Sequence, residues 1–329
     1  MRLFRIIGLA FAGYVAFTVS GCSDESATVG TQDERFVELD LGRRATDDLV
    51  GYYMGAYLAE DAKDPFDARL VVLDGGKYFV DVEALSSVDS VSAQRLLAAS
   101  GDDRKVVWDA FAGFVSDTYR RARRIPESRA VLAEQEGFVA ESTAWMNLDV
   151  IGVMTTQRRR VFVRQADVVE ALRSYRSRED RVIYPAGTVF IADHLEGGEV
   201  TETTVMRKTD RGDWDFFGYD RDGYLVDSTL AMPDARHIPT QCVGCHFGRK
   251  LYEPERSFPA TVADGPHGPR AIFTDARDAS VVRYFNEHRH RSDRVLGLYA
   301  TILVSRLRSE REAGTLDREL GDLLAALDL

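Results

Sequence analysis

Cys242-Val-Gly-Cys245-His246 is the stretch of this chain whose residue types and spacing carry the most chemistry. Two cysteines three positions apart can reach the two vinyl groups on one edge of a porphyrin as thioethers. The histidine next in line is then carried under the iron as an axial ligand. The spacing predicts one covalently bound haem c, held by Cys242, Cys245 and His246. A zinc site wants further ligands at matching spacing, and the only other cysteine is Cys22. A redox dithiol wants a thioredoxin-like βαβ context, which this sequence lacks.

Cys22 carries chemistry of its own. Arg2 and Arg5 form a short basic region, and Ile6 to Val19 is an apolar stretch of signal-peptide length. Val19-Ser20-Gly21-Cys22 then resembles the bacterial lipobox. The pattern predicts a signal peptide over 1–21 and a mature chain beginning at a lipidated Cys22. The alternative is an uncleaved anchor helix, for which the apolar run is short of the roughly 20 residues a span needs. Acyl chains on one cysteine anchor stably when there are two or more. The expected location is the bacterial cell envelope, facing the periplasm. Ser23 after the cysteine leans towards the outer membrane, by similarity to enterobacterial sorting. That compartment is also where haem is attached covalently, so the two cysteine motifs support each other.

The sixth ligand of the iron decides what such a site does. Soluble electron-transfer cytochromes use a methionine well downstream of the motif, but here the last methionine, Met232, lies upstream of Cys242. Met206 and Met232 are the methionine candidates, each equally suited to packing. The histidine candidates are His194, His237, His267, His288 and His290, with His194 at the end of a β-like run. A filled sixth position mainly passes electrons, whereas an open one binds or transforms small molecules such as NO or CO.

The elements that must position these residues follow from periodicity. Residues 23–33 are small, polar and acidic, and a tether is expected over 22–44. Ala45 to Leu58 reads as a helix. Arg69 to Asp74 and Lys77 to Val82, split by Gly75-Gly76, read as a hairpin. Ser92 to Ala99 reads as a short helix. Arg104 to Arg124 reads as a longer one, with Val107, Phe111, Phe114 and Val115 on one stripe. Residues 45–136 thus form a mixed α/β region without a chemical motif. From Gly137 the pattern turns to short β runs at 160–164, 188–192, 200–208 and 214–219, interrupted by a helix over 166–175. The expected boundaries are a β-rich haem domain over 137–265 and a helical extension over 266–329, with helices at 279–312 and 317–327. The fold class is α+β, with a largely antiparallel β domain.

The segment from Gly137 to Pro259 resembles the cytochrome P-460 family and its c′-beta relatives. The similarity rests on landmarks in order: Arg159-Arg-Val-Phe-Val, then Tyr184-Pro-Ala-Gly-Thr-Val-Phe-Ile, Val205-Met-Arg-Lys208, Gly212-Asp-Trp214-Asp-Phe-Phe, and the cysteine motif. It covers somewhat more than a third of the chain. It implies an antiparallel β domain around one haem c, with His246 proximal and an open distal face. In cytochrome P-460 proper, a lysine on the Gly-Thr-Val strand crosslinks to the porphyrin and tunes it for hydroxylamine oxidation. Here Ala192 falls at that position, followed by Asp193 and His194, with no lysine on the strand. The c′-beta relatives imply an apolar cap over an NO-binding haem, for which Phe162, Phe190 and Phe216 are the candidates. Lys208 matches a family lysine, and otherwise reads as a surface residue closing a turn. Arg159 and Arg160 suit haem propionates or an outward arginine-rich strand. His194 facing the iron would make a bis-histidine carrier.

The net charge of −11 argues against a nucleic-acid partner. It suits a basic redox partner protein, and equally plain solubility. The combined expectation is a lipid-anchored, periplasm-facing monohaem c-type cytochrome that transfers electrons. The alternatives are an oxidoreductase acting on hydroxylamine or NO at an open iron, and an NO- or CO-binding or sensing module.

Overall fold

The computed structural model describes residues 34–42, 45, 47–59, 61–151, 158–177, 184–230, 238–246 and 307–326. The signal peptide expected over 1–21, Cys22, Met232, His237, His267, His288 and His290 lie outside these residues, as does most of the helix expected over 279–312. Among the described residues no helix is long and apolar enough to cross a membrane.

Phe36-Val-Glu-Leu-Asp alternates apolar and acidic residues and forms β1 (Phe36–Asp40), burying Val37 and Leu39. The tether expected over 22–44 is corrected here, because β1 already lies inside a sheet. The buried Glu38 hid the strand in the sequence. Lys77 at 3.0 Å and Lys105 at 3.8 Å compensate its charge.

The first sheet follows quickly. After α1 (Asp47–Met54) come β2 (Val71–Asp74) and β3 (Lys77–Asp81). The turn between these strands needs two left-handed residues, which Gly75 and Gly76 supply at φ 55° and 78°. Asp81 then caps α2 (Val82–Val88), accepting from the N–H groups of Glu83 and Ala84. Asp89 caps α3 (Ser90–Ser100) through Ser92 N–H. The helix expected from Arg104 starts later: Lys105–Val107 is a strand, β4, and α4 runs Trp108–Ala122. Strand propensity wins there because β4 finds an open edge parallel to β1. The strand order is β2-β3-β1-β4.

The second sheet is an antiparallel meander. Its strands are β5 (Trp145–Ile151), β6 (Arg158–Arg164), β7 (Val189–Glu196), β8 (Glu199–Lys208) and β9 (Trp214–Asp220), hydrogen-bonded in sequence order. Helix α5 (Arg129–Glu136) precedes β5, and α6 (Gln165–Ser177) links β6 to β7. The final helix, Arg318–Ala326, buries Leu320 and Leu324 and meets α6 through Arg173 and Glu319 at 3.2 Å.

Together the two sheets and their helices make an α+β protein. The chain from Glu34 onward forms one compact unit. The boundary expected at 136/137 therefore falls between two sheets that share a core. Residues 123–138 line one face of the second sheet: Tyr219 donates to Pro126 O at 3.0 Å, Arg129 pairs with Asp193 at 2.8 Å, and Phe138 meets Phe162 edge-to-face. A buried cluster ties this side to α1. Arg123, only 3 % exposed, donates to Tyr52 O at 2.9 Å and pairs with Asp213 and Asp215. Burial alone would lower its pKa, but the two carboxylates raise it further, so it stays charged.

Candidate functional site

The cysteine motif sits on a short helix, α7 (Thr240–His246). Helical backbone puts positions three apart on one side of a turn, so the Cys242 and Cys245 positions are about one turn apart. The first turn is anchored in the core. Val243 is fully buried, and Thr240 and Gln241 are nearly so. Tyr53 of α1 donates to Thr240 Oγ1 at 3.3 Å, and Gln241 Oε1 accepts from Thr229 N–H at 3.1 Å. Cys242 packs, partly buried, against the same core.

The register of the second sheet tells which side chains share the face on which the segment leading into this helix packs. Directly paired residues on antiparallel strands project to the same side. Gly218 of β9 pairs with Thr204, Thr204 with Ala192, and Ala192 with Val161. A Cβ built on Gly218 points at Val226 and at Ile238, which leads into α7. The row Val161, Ala192, Thr204 and Gly218 therefore lies on the motif side. The neighbouring row is apolar: Val163, Phe190, Met206 and Phe216, all buried. The row on the other flank is polar: Arg159, His194, Glu202 and Asp220.

This sorting revises several expectations. Phe190 and Phe216 lie on the motif face, but Phe162 points to the opposite one, where it packs on Phe138. Ala192 lies on the motif face, as does Met206. Lys208 is not a surface residue: it is 7 % exposed, with its Nζ 5.0 Å from the centre of the Trp214 ring. Arg160 faces away and pairs with Asp149 at 2.8 Å, while Arg159 belongs to the motif face.

His194 is 3 % exposed, and its Nε2 meets Thr204 Oγ1 at 3.1 Å. Burial, reinforced by the charge of Arg159, pulls its pKa down to about 3, so the ring is neutral near neutral pH. Glu202 beside it is 2 % exposed and accepts from Leu230 N–H at 2.8 Å. Burial pushes its carboxyl up, outweighing that bond and Arg159. Sequence reading missed Glu202, Thr204 and Ile238, which carry no local signal. Gly218 did carry one, as a glycine inside an aromatic strand, which marks a close approach.

Among the described residues, no three His, Cys, Asp or Glu side chains gather as a metal cluster. By residue type the positions suit a haem c: two cysteine positions about one turn apart on a helix and a histidine position next in line. Class and site together are those of an α+β protein carrying a Cys-x-x-Cys-His helix whose leading segment packs, through Ile238, on an antiparallel meander. No protein-family model, no curated protein and no solved structure matches this chain.

Proposed function

We propose that this chain is a lipid-anchored, periplasm-facing monohaem c-type cytochrome that transfers electrons. One observation carries the reading. The segment leading into the helix that bears Cys242, Cys245 and His246 packs, through Ile238, on Gly218 of a sheet face that also presents Val163, Phe190, Met206 and Phe216.

Cys242 and Cys245 would hold the porphyrin as thioethers, and His246 would be the proximal ligand. A haem c bound there supplies one-electron iron chemistry between its ferric and ferrous states. The protein's own part is to keep water from the face through the apolar row and to hold the motif helix in place. Ile238, Val243 and Tyr53 do the latter. Cys22 would carry the lipid and keep the site at a membrane surface, within reach of a redox partner protein.

A second reading, redox chemistry on a small nitrogen species at an iron without a sixth protein ligand, is favoured by His194. Its Nε2 is already engaged by Thr204 at 3.1 Å. The optical spectrum of the exported protein, oxidised and reduced, with and without CO, tests both. A low-spin reduced spectrum that ignores CO supports the carrier. A high-spin spectrum that shifts with CO supports the open iron. A sample without covalent haem refutes the proposal.

A further inference from the structure

We propose that Arg159, His194 and Glu202 form a buried binding site for the amine or hydroxyl head of a small, uncharged protic molecule. The site stands on the polar flank of the motif face and does not depend on the iron.

Three neighbouring strands supply it in register: Arg159 of β6 pairs with His194 of β7, and His194 with Glu202 of β8. Two of the side chains are held by one edge only. His194 is held at Nε2 by Thr204 at 3.1 Å, and Glu202 at Oε1 by Leu230 N–H at 2.8 Å. Their other edges, His194 Nδ1 and Glu202 Oε2, face each other at 3.7 Å. That is too long for a hydrogen bond. Both atoms are buried without a hydrogen-bond partner among the described residues, and so is Arg159 Nε. Native folds pair the large majority of their buried polar atoms. Unpaired ones occur elsewhere in this chain too, but here three fall on adjacent strands in register, two of them facing each other.

The chemistry of the occupant follows from the three atoms. In the tautomer whose Nε2–H donates to Thr204 Oγ1, His194 Nδ1 offers a lone pair, Glu202 Oε2 offers another, and Arg159 Nε offers a hydrogen. The complement is one nitrogen or oxygen with two hydrogens to give and a lone pair to receive with. A metal cation would meet the Arg159 guanidinium. An anion would meet the Glu202 carboxyl group. Neutral His194 adds no charge to either side. The separation of 3.7 Å allows one bridging head atom, not an extended ligand.

The test is a titration of the full-length exported protein, labelled with nitrogen-15 in its histidines. It is reduced and saturated with CO, so that any iron is already capped. Hydroxylamine is the neutral probe and azide the anionic one. The His194 signal is assigned with His194→Gln. Hydroxylamine should move the His194 Nδ1 resonance to saturation, and azide should not. Glu202→Leu and Arg159→Met should each weaken the response about tenfold, the size expected for losing one buried hydrogen bond. Glu202→Gln, which keeps the shape, serves if Glu202→Leu does not fold. An unmoved Nδ1 resonance leaves water as the sole occupant and overturns the proposal. An equal response to azide, or a response unchanged in the variants, also overturns it. Absence of covalent haem would be read from the same sample's spectrum and refutes only the cytochrome reading.

Discussion

Ile238 packs onto the bare Cα of Gly218. A methyl group at that position would stand 3.7 Å from Ile238 Cδ1, 3.4 Å from Val226 Cγ2 and 3.2 Å from the carbonyl oxygen of Thr203. The segment leading into the cysteine motif thus rests on the one position of β9 that has no side chain. Gly218→Ala forces the Thr203 carbonyl to give way by a few tenths of an ångström and fills the space beneath Ile238, an overpacking cost of about 1–3 kcal/mol. The urea midpoint should fall, and the covalent haem recovered per protein should fall with it. Gly113→Ala is the control. Gly113 lies inside α4 with open space around it, and alanine there should stabilise by about 0.5–1 kcal/mol.

Replacing both Cys242 and Cys245 by alanine removes the two thioether bonds on which the cytochrome reading depends. Acid-acetone should then strip all haem from the exported protein, while the parent keeps it. Retained covalent haem in the double variant would contradict the assignment.

Arg123→Met removes one of the two guanidinium groups that face Asp215, 4 % exposed, the one at 3.4 Å, and leaves Arg207 at 2.9 Å. The cost should therefore fall below that of breaking an isolated buried pair, about 3–5 kcal/mol. Arg123→Lys keeps the charge but loses the fork that also serves Tyr52 O, and should cost less. Chemical denaturation of both variants measures the difference. Equal stability of parent and Arg123→Met would remove this cluster as the tie between α1 and the second sheet.

The acid side of the stability profile carries the signature of His194. Its folded pKa of about 3 lies below the ordinary 6.5. The unfolded chain therefore takes up a proton that the folded one refuses. Stability is complete above 6.5 and drains as pH falls towards 3, with a slope of at most about 1.4 kcal/mol per pH unit. Glu202 acts in the opposite sense, because its raised carboxyl favours the folded state at low pH. Arg159 is the other charge facing the pair. His194→Gln should flatten the slope across this window in denaturation experiments at stepped pH. Glu202→Gln should steepen it.

Much of the second sheet was legible because its cues are local. The runs at 160–164, 200–208 and 214–219 became β6, β8 and β9 with small changes at their ends, and the run at 188–192 became β7, which continues to Glu196 and takes in Asp193 and His194. Strand β5, Trp145–Ile151, was not legible. Asn147 and Asp149 interrupt its apolar pattern, and Asp149 is tolerated only because Arg158 and Arg160 on the next strand meet it. Strand β1 was lost for the same reason, its Glu38 being compensated by lysines distant in sequence.

By itself the sequence determined the short-range chemistry: the spacing of Cys242, Cys245 and His246, the lipobox-like run before Cys22, the Gly75-Gly76 turn, and the strand and helix periods. These depend on residues within a few positions of one another. Only the tertiary structure decided sidedness. Strand β7 is buried on both faces, and on β6 alternation puts Arg159 opposite to Arg160 without saying which of the two lies on the motif side. Cross-strand register decided that, and it also brought His194 to Glu202 and Ile238 to Gly218. Those pairings join residues from separate strands and segments, and no local pattern encodes them.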